Sequence, residues 1–140
     1  MSRRVVFDVN ILFFAVVAPN GAPARAYLAA LEQSCLICRS NHIVTRLIDV
    51  LGRPRFHGRL SNESLNAFLG GVQGYAEPFT PDATVSGVAD DEEDDLVLGT
   101  AVAAGADYLV TGDSGLLRIG EHRGVRIVTA REFLILIDAD

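Results

Sequence analysis

The sequence has 140 residues, of which 49% are hydrophobic and 21% are charged. This composition is typical of a globular domain with a core of its own, and it excludes an intrinsically disordered chain. The longest apolar stretch, residues 5–18, is interrupted by Asp8 and Asn10 and is too short to span a bilayer. The same two polar residues argue against a signal peptide. We therefore expect a single domain over residues 1–140, located in the cytoplasm and not in a membrane.

The net charge of −6 comes from one acidic segment rather than from an evenly acidic surface. Residues 90–95 are all Asp or Glu, whereas residues 39–59 contain five arginines and one aspartate. Because acidic and basic residues are segregated, the overall charge does not exclude a nucleic-acid partner. All 12 basic residues are arginine, and the sequence contains no lysine.

Short strands and helices alternate along the chain. Apolar, β-branched runs predict strands at residues 4–7, 35–38, 108–110 and 125–128. Capping residues, apolar stripes and glycines predict helices at residues 24–31, 41–51 after Ser40, 61 to Gly70-Gly71, 91–104 before Gly105, and from Thr129 onward. This alternation predicts an α/β domain with an open, mostly parallel sheet flanked by helices. Such sheets bind ligands at the carboxyl ends of their strands.

Three aspartates are expected to meet at that edge of the sheet. Asp8 follows the first strand, and Asp113 follows the third in the order Thr-Gly-Asp. Asp94 begins a helix, and the apolar residues three, four and seven positions later put it on the face that packs against the sheet. Carboxylates gathered in this way need a cation, and Mg²⁺ prefers oxygen ligands. Asp91, one turn earlier, could assist.

Simpler interpretations exist for several of these residues. Asp113 could serve only as a helix cap or turn residue. Asp90, Glu92 and Glu93 are interpreted as a solvated helix start, which suits the helix dipole. The three histidines share no ligand spacing, and we assign none of them to the site.

Four segments, taken in order, resemble a known family. They are Phe7-Asp8-Val9-Asn10-Ile11-Leu12, the helix followed by Arg53-Pro54-Arg55-Phe56, Asp91-x-x-Asp94, and Tyr108-Leu-Val-Thr-Gly-Asp113. This set resembles PIN-domain nucleases and, among them, the VapC-like toxins of toxin–antitoxin pairs. The likeness extends from Val5 to Phe133. Its specificity lies in the ordered set, since no single motif is specific.

The resemblance implies a PIN-like fold with a five-stranded sheet and a ribonuclease that depends on Mg²⁺ or Mn²⁺. It carries Asp8, Asp94 and Asp113 over as catalytic, metal-binding carboxylates, with Asn10 and Thr111 as polar residues that support them. The metal would orient and activate a water for hydrolysis of an RNA phosphodiester. The implied partners are an RNA substrate, a cognate antitoxin protein and a second copy of the chain in a homodimer.

Two positions depart from the family pattern. The family places a Glu before Leu47, where this sequence has Arg46, and it usually has an Asp where this sequence has Gly115. Arg46 could weaken metal binding, contact the scissile phosphate, or mark an impaired enzyme. Asp49, three residues later, is either a substitute ligand or the salt-bridge partner of Arg46.

Arginines that follow the predicted helix at residues 41–51 are candidates for substrate binding. Arg53 and Arg55, with Phe56 beside them, could contact an RNA backbone or stack a base. A solvated role is the alternative for these arginines. Together with Arg46, they form the predicted substrate-binding set.

Two other functions compete with the nuclease. Haloacid-dehalogenase-type phosphatases and receiver domains also have an acid after the first strand, but both normally use a lysine, which this sequence lacks. The second alternative is a catalytically impaired PIN domain that binds RNA or protein. The Arg46 and Gly115 departures keep this alternative open.

Overall fold

A computed structural model describes residues 2–53 and 61–139. Arg55 and Phe56, predicted to bind substrate, lie outside the described residues. The elements alternate in chain order as β1 (Arg4–Phe7), α1 (Val9–Val17), α2 (Ala22–Glu32), β2 (Leu36–Arg39), α3 (Asn41–Leu51), α4 (Asn62–Tyr75), β3 (Glu77–Pro78), α5 (Glu92–Ala104), β4 (Tyr108–Val110), α6 (Ser114–Ile119), β5 (Glu121–His122), β6 (Val125–Val128) and α7 (Ala130–Ala139).

The sheet has the strand order β3-β2-β1-β4-β6-β5. Every neighbouring pair is parallel except β5 and β6. The predicted α/β class with a mostly parallel sheet is therefore confirmed, but the described residues form six strands instead of five. The two edge strands, β3 and β5, contain two residues each. Strands this short carry no periodic pattern by which a sequence could reveal them.

The strand order brings the two strand-end aspartates together. β1 and β4 are neighbours at the centre of the sheet, with Phe7 opposite Val110. Their carboxyl ends therefore lie side by side, and Asp8 and Thr111 are the next residues along the two strands. Val5, Val6 and Phe7 are all buried, as expected for a central parallel strand covered by helices on both faces.

Aromatic residues connect the sheet to two of the helices. The Phe133 ring of α7 makes edge contacts with Phe7, at 5.9 Å between centroids, and with Tyr108, at 5.7 Å. Tyr27 of α2 contacts Phe7 from the same core at 5.3 Å. These ring pairs stabilise the central strands in addition to the stabilisation from burial of their apolar area. Through Phe133 they connect β1 and β4, the two strands that precede Asp8 and Asp113.

The helices differ from the predicted ones in three places. Helix α1 was not predicted, because all its residues except Asn10 are apolar and show no helical stripe. The short helix α6 was not predicted either. The prediction that Gly70-Gly71 ends a helix is wrong, since α4 continues to Tyr75. A Cβ at Gly70 would meet no atom within 4 Å, so these glycines occupy ordinary helical positions, and the burial of Val72 outweighs their low helix propensity.

Within the described ranges, no single helix is long and apolar enough to cross a membrane. Within the same ranges, α1 and α2 taken together, with a bend of 100° between them, are the one pair of helices with the length and composition expected of a span.

Candidate functional site

Asp8 links the end of β1 to the start of α1. Its carboxylate caps α1, because Oδ1 accepts a hydrogen bond of 2.7 Å from the Val9 backbone N–H. Its Oδ2 accepts a hydrogen bond of 2.7 Å from the Thr111 hydroxyl. Burial raises the pKa of Asp8 above its ordinary value and the nearby Asp113 adds to the rise, although these hydrogen bonds and His42 oppose it. Asp8 is therefore a buried carboxylate whose charge is only partly compensated.

Thr111 connects two of the predicted site residues. Its hydroxyl donates to Asp8 and accepts a hydrogen bond of 3.0 Å from the Asp113 backbone N–H. Asp113 in turn caps α6, since its Oδ2 accepts from the Leu116 N–H at 2.9 Å. Asn10 contacts the same turn, because its Oδ1 accepts from the Gly112 N–H at 3.3 Å. Thr111 and Asn10 thus fix the geometry of the two strand ends.

Asp94 faces these two aspartates from the first turn of α5. Desolvation and the negative charges of Asp113, Asp91, Asp8 and Asp90, in that order, raise its pKa to about 6. Asp91 caps α5 and accepts a hydrogen bond of 2.8 Å from the Asp94 N–H. A carboxylate this strongly affected by its like-charged neighbours belongs to a cluster without enough positive charge.

The three aspartates line one cavity of about 260 Å³. The cavity lies at the carboxyl end of the central strands, where open α/β sheets bind ligands. Its walls come from α1, α3, α5 and the turn before α6, and the lining residues are Asp8, Val9, Asn10, Phe13, His42, Arg46, Val50, Glu93, Asp94, Val97 and Asp113.

The cavity offers oxygen ligands of the kind that a hard divalent cation prefers. Its three aspartates supply oxygen atoms. Burial first, and then like-charged neighbours, raise the pKa of Asp8 and Asp94, so a cation bound there would stabilise their charged forms. Among the described residues, no group of three or more His, Cys, Asp or Glu side chains is placed so that it could hold a metal ion. The fit to Mg²⁺ rests on the chemistry of the oxygen donors and not on their spacing, since Mg²⁺ usually keeps several waters and uses only one or two carboxylates directly.

The pKa of Asp94 predicts how the stability of the metal-free protein depends on pH. Because the folded-state value lies above that of an unfolded aspartate, the folded state binds the proton more tightly. This contribution to stability is complete below pH ~4 and is lost as the pH rises through about 6. We expect the Tm in EDTA to fall across this interval, and Asp94→Asn to flatten the slope.

Glu92→Gln is the matched control for this measurement, since Glu92 belongs to the same helical turn and does not line the cavity. It should leave the slope of Tm against pH unchanged. A wild-type slope in Asp94→Asn would contradict the assignment.

The structure places Arg46 in the cavity wall but pairs it with acids. Its Nη1 lies 3.1 Å from Asp49 Oδ2, and its Nε lies 3.4 Å from Glu93 Oε1. Asp49 also lies 3.8 Å from Arg53 Nη2, and neither Asp49 nor Arg53 lines the cavity. The geometry of Asp49 is thus that of a salt-bridge partner, and part of the Arg46 charge is balanced by its neighbours.

Several residues of the site were missed at the level of sequence. His42, Phe13 and Glu93 line the cavity, although nothing in their spacing connects them to the aspartates. His42 lies on the first turn of α3, and its position follows only from the packing of α3 against α1 and α5. Glu93 is exposed, as its interpretation as a solvated acid implies, and its carboxylate also contacts Arg46 at the cavity.

Asp95 has a structural role that the sequence did not reveal. It is buried, and its carboxylate accepts backbone hydrogen bonds from Gly87 at 2.8 Å, Val88 at 3.2 Å and Ala89 at 2.8 Å. Burial opposes the charged form, but these three bonds lower the pKa of Asp95 overall. Asp95 therefore anchors the loop that precedes α5, while its neighbour Asp94 faces the cavity.

Comparisons with known proteins agree with this geometry. The family model described as "PIN domain" matches residues 4–115. Among solved structures, VapBC2 from Rickettsia felis bound to a DNA fragment from its promoter matches with a TM-score of 0.60 and 17% identity, over 89% of this chain and 96% of that chain. No curated protein matches significantly. PIN domains are generally nucleases. The family match spans most of the chain and includes all three cavity aspartates, so this chain belongs to the PIN-domain family.

Proposed function

We propose that this protein is a metal-dependent endoribonuclease and the toxin of a toxin–antitoxin pair. The observation that carries the proposal is the meeting of Asp8, Asp94 and Asp113, from three separate elements, in one cavity. The membership of the PIN-domain family supports nuclease chemistry at this site.

Mg²⁺ or Mn²⁺ is the proposed cofactor, and Asp8, Asp94 and Asp113 are the residues that would hold it. When bound, such an ion lowers the pKa of a water and neutralises charge that develops on a phosphodiester. The protein contributes the orientation of the carboxylates. Thr111 fixes Asp8 through its hydroxyl, Asn10 contacts the turn before Asp113, and Asp91 orders the start of α5.

Arg46 is the proposed contact to the RNA backbone within the cavity, because a guanidinium suits the geometry of a phosphate. Arg53 is a further proposed contact to the RNA backbone, and Arg55, which lies outside the described residues, is proposed for the same role. Their contribution would be electrostatic and independent of sequence, so it should weaken as salt increases.

The proposed partner is an antitoxin protein, and the proposed setting is a homodimer in the cytoplasm. The similar structure from Rickettsia felis is a VapBC2 complex bound to promoter DNA, which supports this assignment by analogy of fold. An antitoxin could use an Arg or Lys to occupy the acidic cavity, since a cation there offsets the repulsion among its carboxylates.

A second candidate is a catalytically impaired PIN domain that acts by binding RNA or protein. The position of Arg46 favours it, because a cation in the cavity wall opposes a divalent ion. Calorimetry with Mn²⁺ and incubation with a mixed RNA pool distinguish the two functions. Metal-dependent cleavage supports the nuclease, whereas RNA binding without Mn²⁺ binding or cleavage supports the second candidate.

The effect of Arg46 on the metal can be measured directly. Arg46→Glu changes the local charge by two units, so we expect Mn²⁺ to bind about tenfold more tightly, while RNA affinity in EDTA decreases. Arg53→Glu makes the same charge change on a residue that does not line the cavity. Equal effects of the two substitutions on Mn²⁺ affinity would refute a local role for Arg46.

A further inference from the structure

Gly115 leaves a space beside Asp113 that another carboxylate occupies. Gly115 is buried in the first turn of α6. A Cβ at this position would overlap Oδ2 of Asp90, and it would lie 3.2 Å from Asp90 Cγ and 3.1 Å from Asp113 Oδ2. The carboxylates of Asp90 and Asp113 therefore both reach the place that a side chain at residue 115 would fill. A side chain at 115 would displace the Asp90 carboxylate from this place.

Asp90 reaches this place from the loop that precedes α5, whereas Gly115 belongs to α6. Residues 87–89 are tied to the buried carboxylate of Asp95 by three hydrogen bonds, and Asp91 caps α5. Asp90 lies between these two anchors, so its direction is constrained. Arg118 of α6 then holds Asp90 Oδ2 at 3.0 Å.

An ordinary surface ion pair is the simpler explanation for Asp90. The two side chains are 69% and 73% exposed, and exposed pairs contribute little to stability. Such a pair explains the contact with Arg118 but not the approach of Asp90 to Asp113, which adds one negative charge to another. A cation at the cavity would turn this unfavourable approach into a favourable one.

We propose that Asp90 is a positioning carboxylate for the divalent-metal site and that Gly115 admits it. This inference rests on the proposed function, since it concerns the same cavity. Asp90 is not among the residues that line the cavity, although its carboxylate and that of Asp113 both approach the place of a side chain at residue 115. It therefore acts as a positioning residue, which adds charge and supports Asp113. Arg118 holds Asp90 in place when no metal is bound.

The test is Mn²⁺ affinity, measured by calorimetry on the full chain. Asp90→Asn should weaken Mn²⁺ binding about tenfold, as is common for supporting residues of metal sites. Glu92→Gln, which removes an acid two residues away without contact to Asp113, should change it less than about twofold. Arg118→Gln should leave the affinity unchanged or increase it, because it removes a competing cation.

Exchanging the residues at positions 90 and 115 distinguishes the effect of a carboxylate at this place from the effect of losing one negative charge. In Asp90→Gly combined with Gly115→Asp, the acid comes from residue 115, and we expect Mn²⁺ affinity within about threefold of wild type. Thermal unfolding in EDTA checks that each variant folds. Asp90→Asn behaving like Glu92→Gln, with the wild type binding Mn²⁺ normally, would overturn this inference alone. A wild type that binds no Mn²⁺ would overturn the proposed function and this inference with it.

Discussion

Asp8→Asn is expected to abolish nearly all metal-dependent RNA cleavage while leaving the fold intact. Asparagine has nearly the same volume and its one oxygen can keep the cap on α1, but it no longer accepts a hydrogen bond from the Thr111 hydroxyl. It also removes the negative charge from the centre of the proposed site. We expect cleavage to fall about 10²–10³-fold, the usual range for losing one electrostatic contact to a transition state. Mn²⁺ affinity should fall at least about tenfold. Single-turnover cleavage of a defined RNA and Mn²⁺ calorimetry are the measurements.

The stability of Asp8→Asn distinguishes loss of function from loss of structure. Burial and Asp113 raise the pKa of Asp8, so its charged form destabilises the metal-free fold at neutral pH. Neutralising it should leave the Tm in EDTA unchanged or higher. Wild-type cleavage in the folded variant would refute Asp8 as part of the reactive centre.

Asp95→Ala is expected to give the largest loss of stability among the acidic residues of 90–95. The substitution leaves the N–H groups of Gly87, Val88 and Ala89 without their acceptor, and water can replace it only in part. We expect the free energy of unfolding to decrease by about 2–4 kcal/mol. Asp95→Asn, which keeps one oxygen acceptor, should lose about half as much. Denaturant unfolding at pH 7 in EDTA measures both.

Asp94→Ala is the matched control for this prediction. Asp94 is the neighbouring residue and is surrounded by like charges, so its removal should not destabilise the metal-free protein. The pH dependence should also differ in sign. The stability contributed by Asp95 is present at neutral pH and is lost as the pH falls through its lowered pKa. An equal loss from both alanine variants would contradict the division of roles.

Much of the candidate site could be predicted from local patterns in the sequence. Asp8 and Asp113 each follow an apolar strand, and the carboxyl ends of parallel strands meet wherever those strands are neighbours. The face of α5 that carries Asp94 follows from helical spacing, because apolar residues one turn later identify the side that packs. Ser40, Ser61, Asp91 and Gly105 marked helix ends correctly, since caps act through short-range hydrogen bonds and a positive φ at Gly105.

Other features depended on contacts between residues distant in sequence. The two-residue edge strands exist only because β2 and β6 offer them hydrogen-bond partners. His42 enters the cavity through the packing of α3, which no local pattern encodes.

The run of acids at 90–95 illustrates the difference between local pattern and tertiary contact most clearly. The amino-acid pattern alone marked it as the start of a helix and identified the face of Asp94. Only the folded chain gave its members separate roles, with Asp95 bonded to a loop, Glu93 paired to Arg46, and Asp90 lying in the space left by Gly115. The physical reason is that the environment of a carboxylate depends on donors, cations and free volume, which the fold brings from other segments.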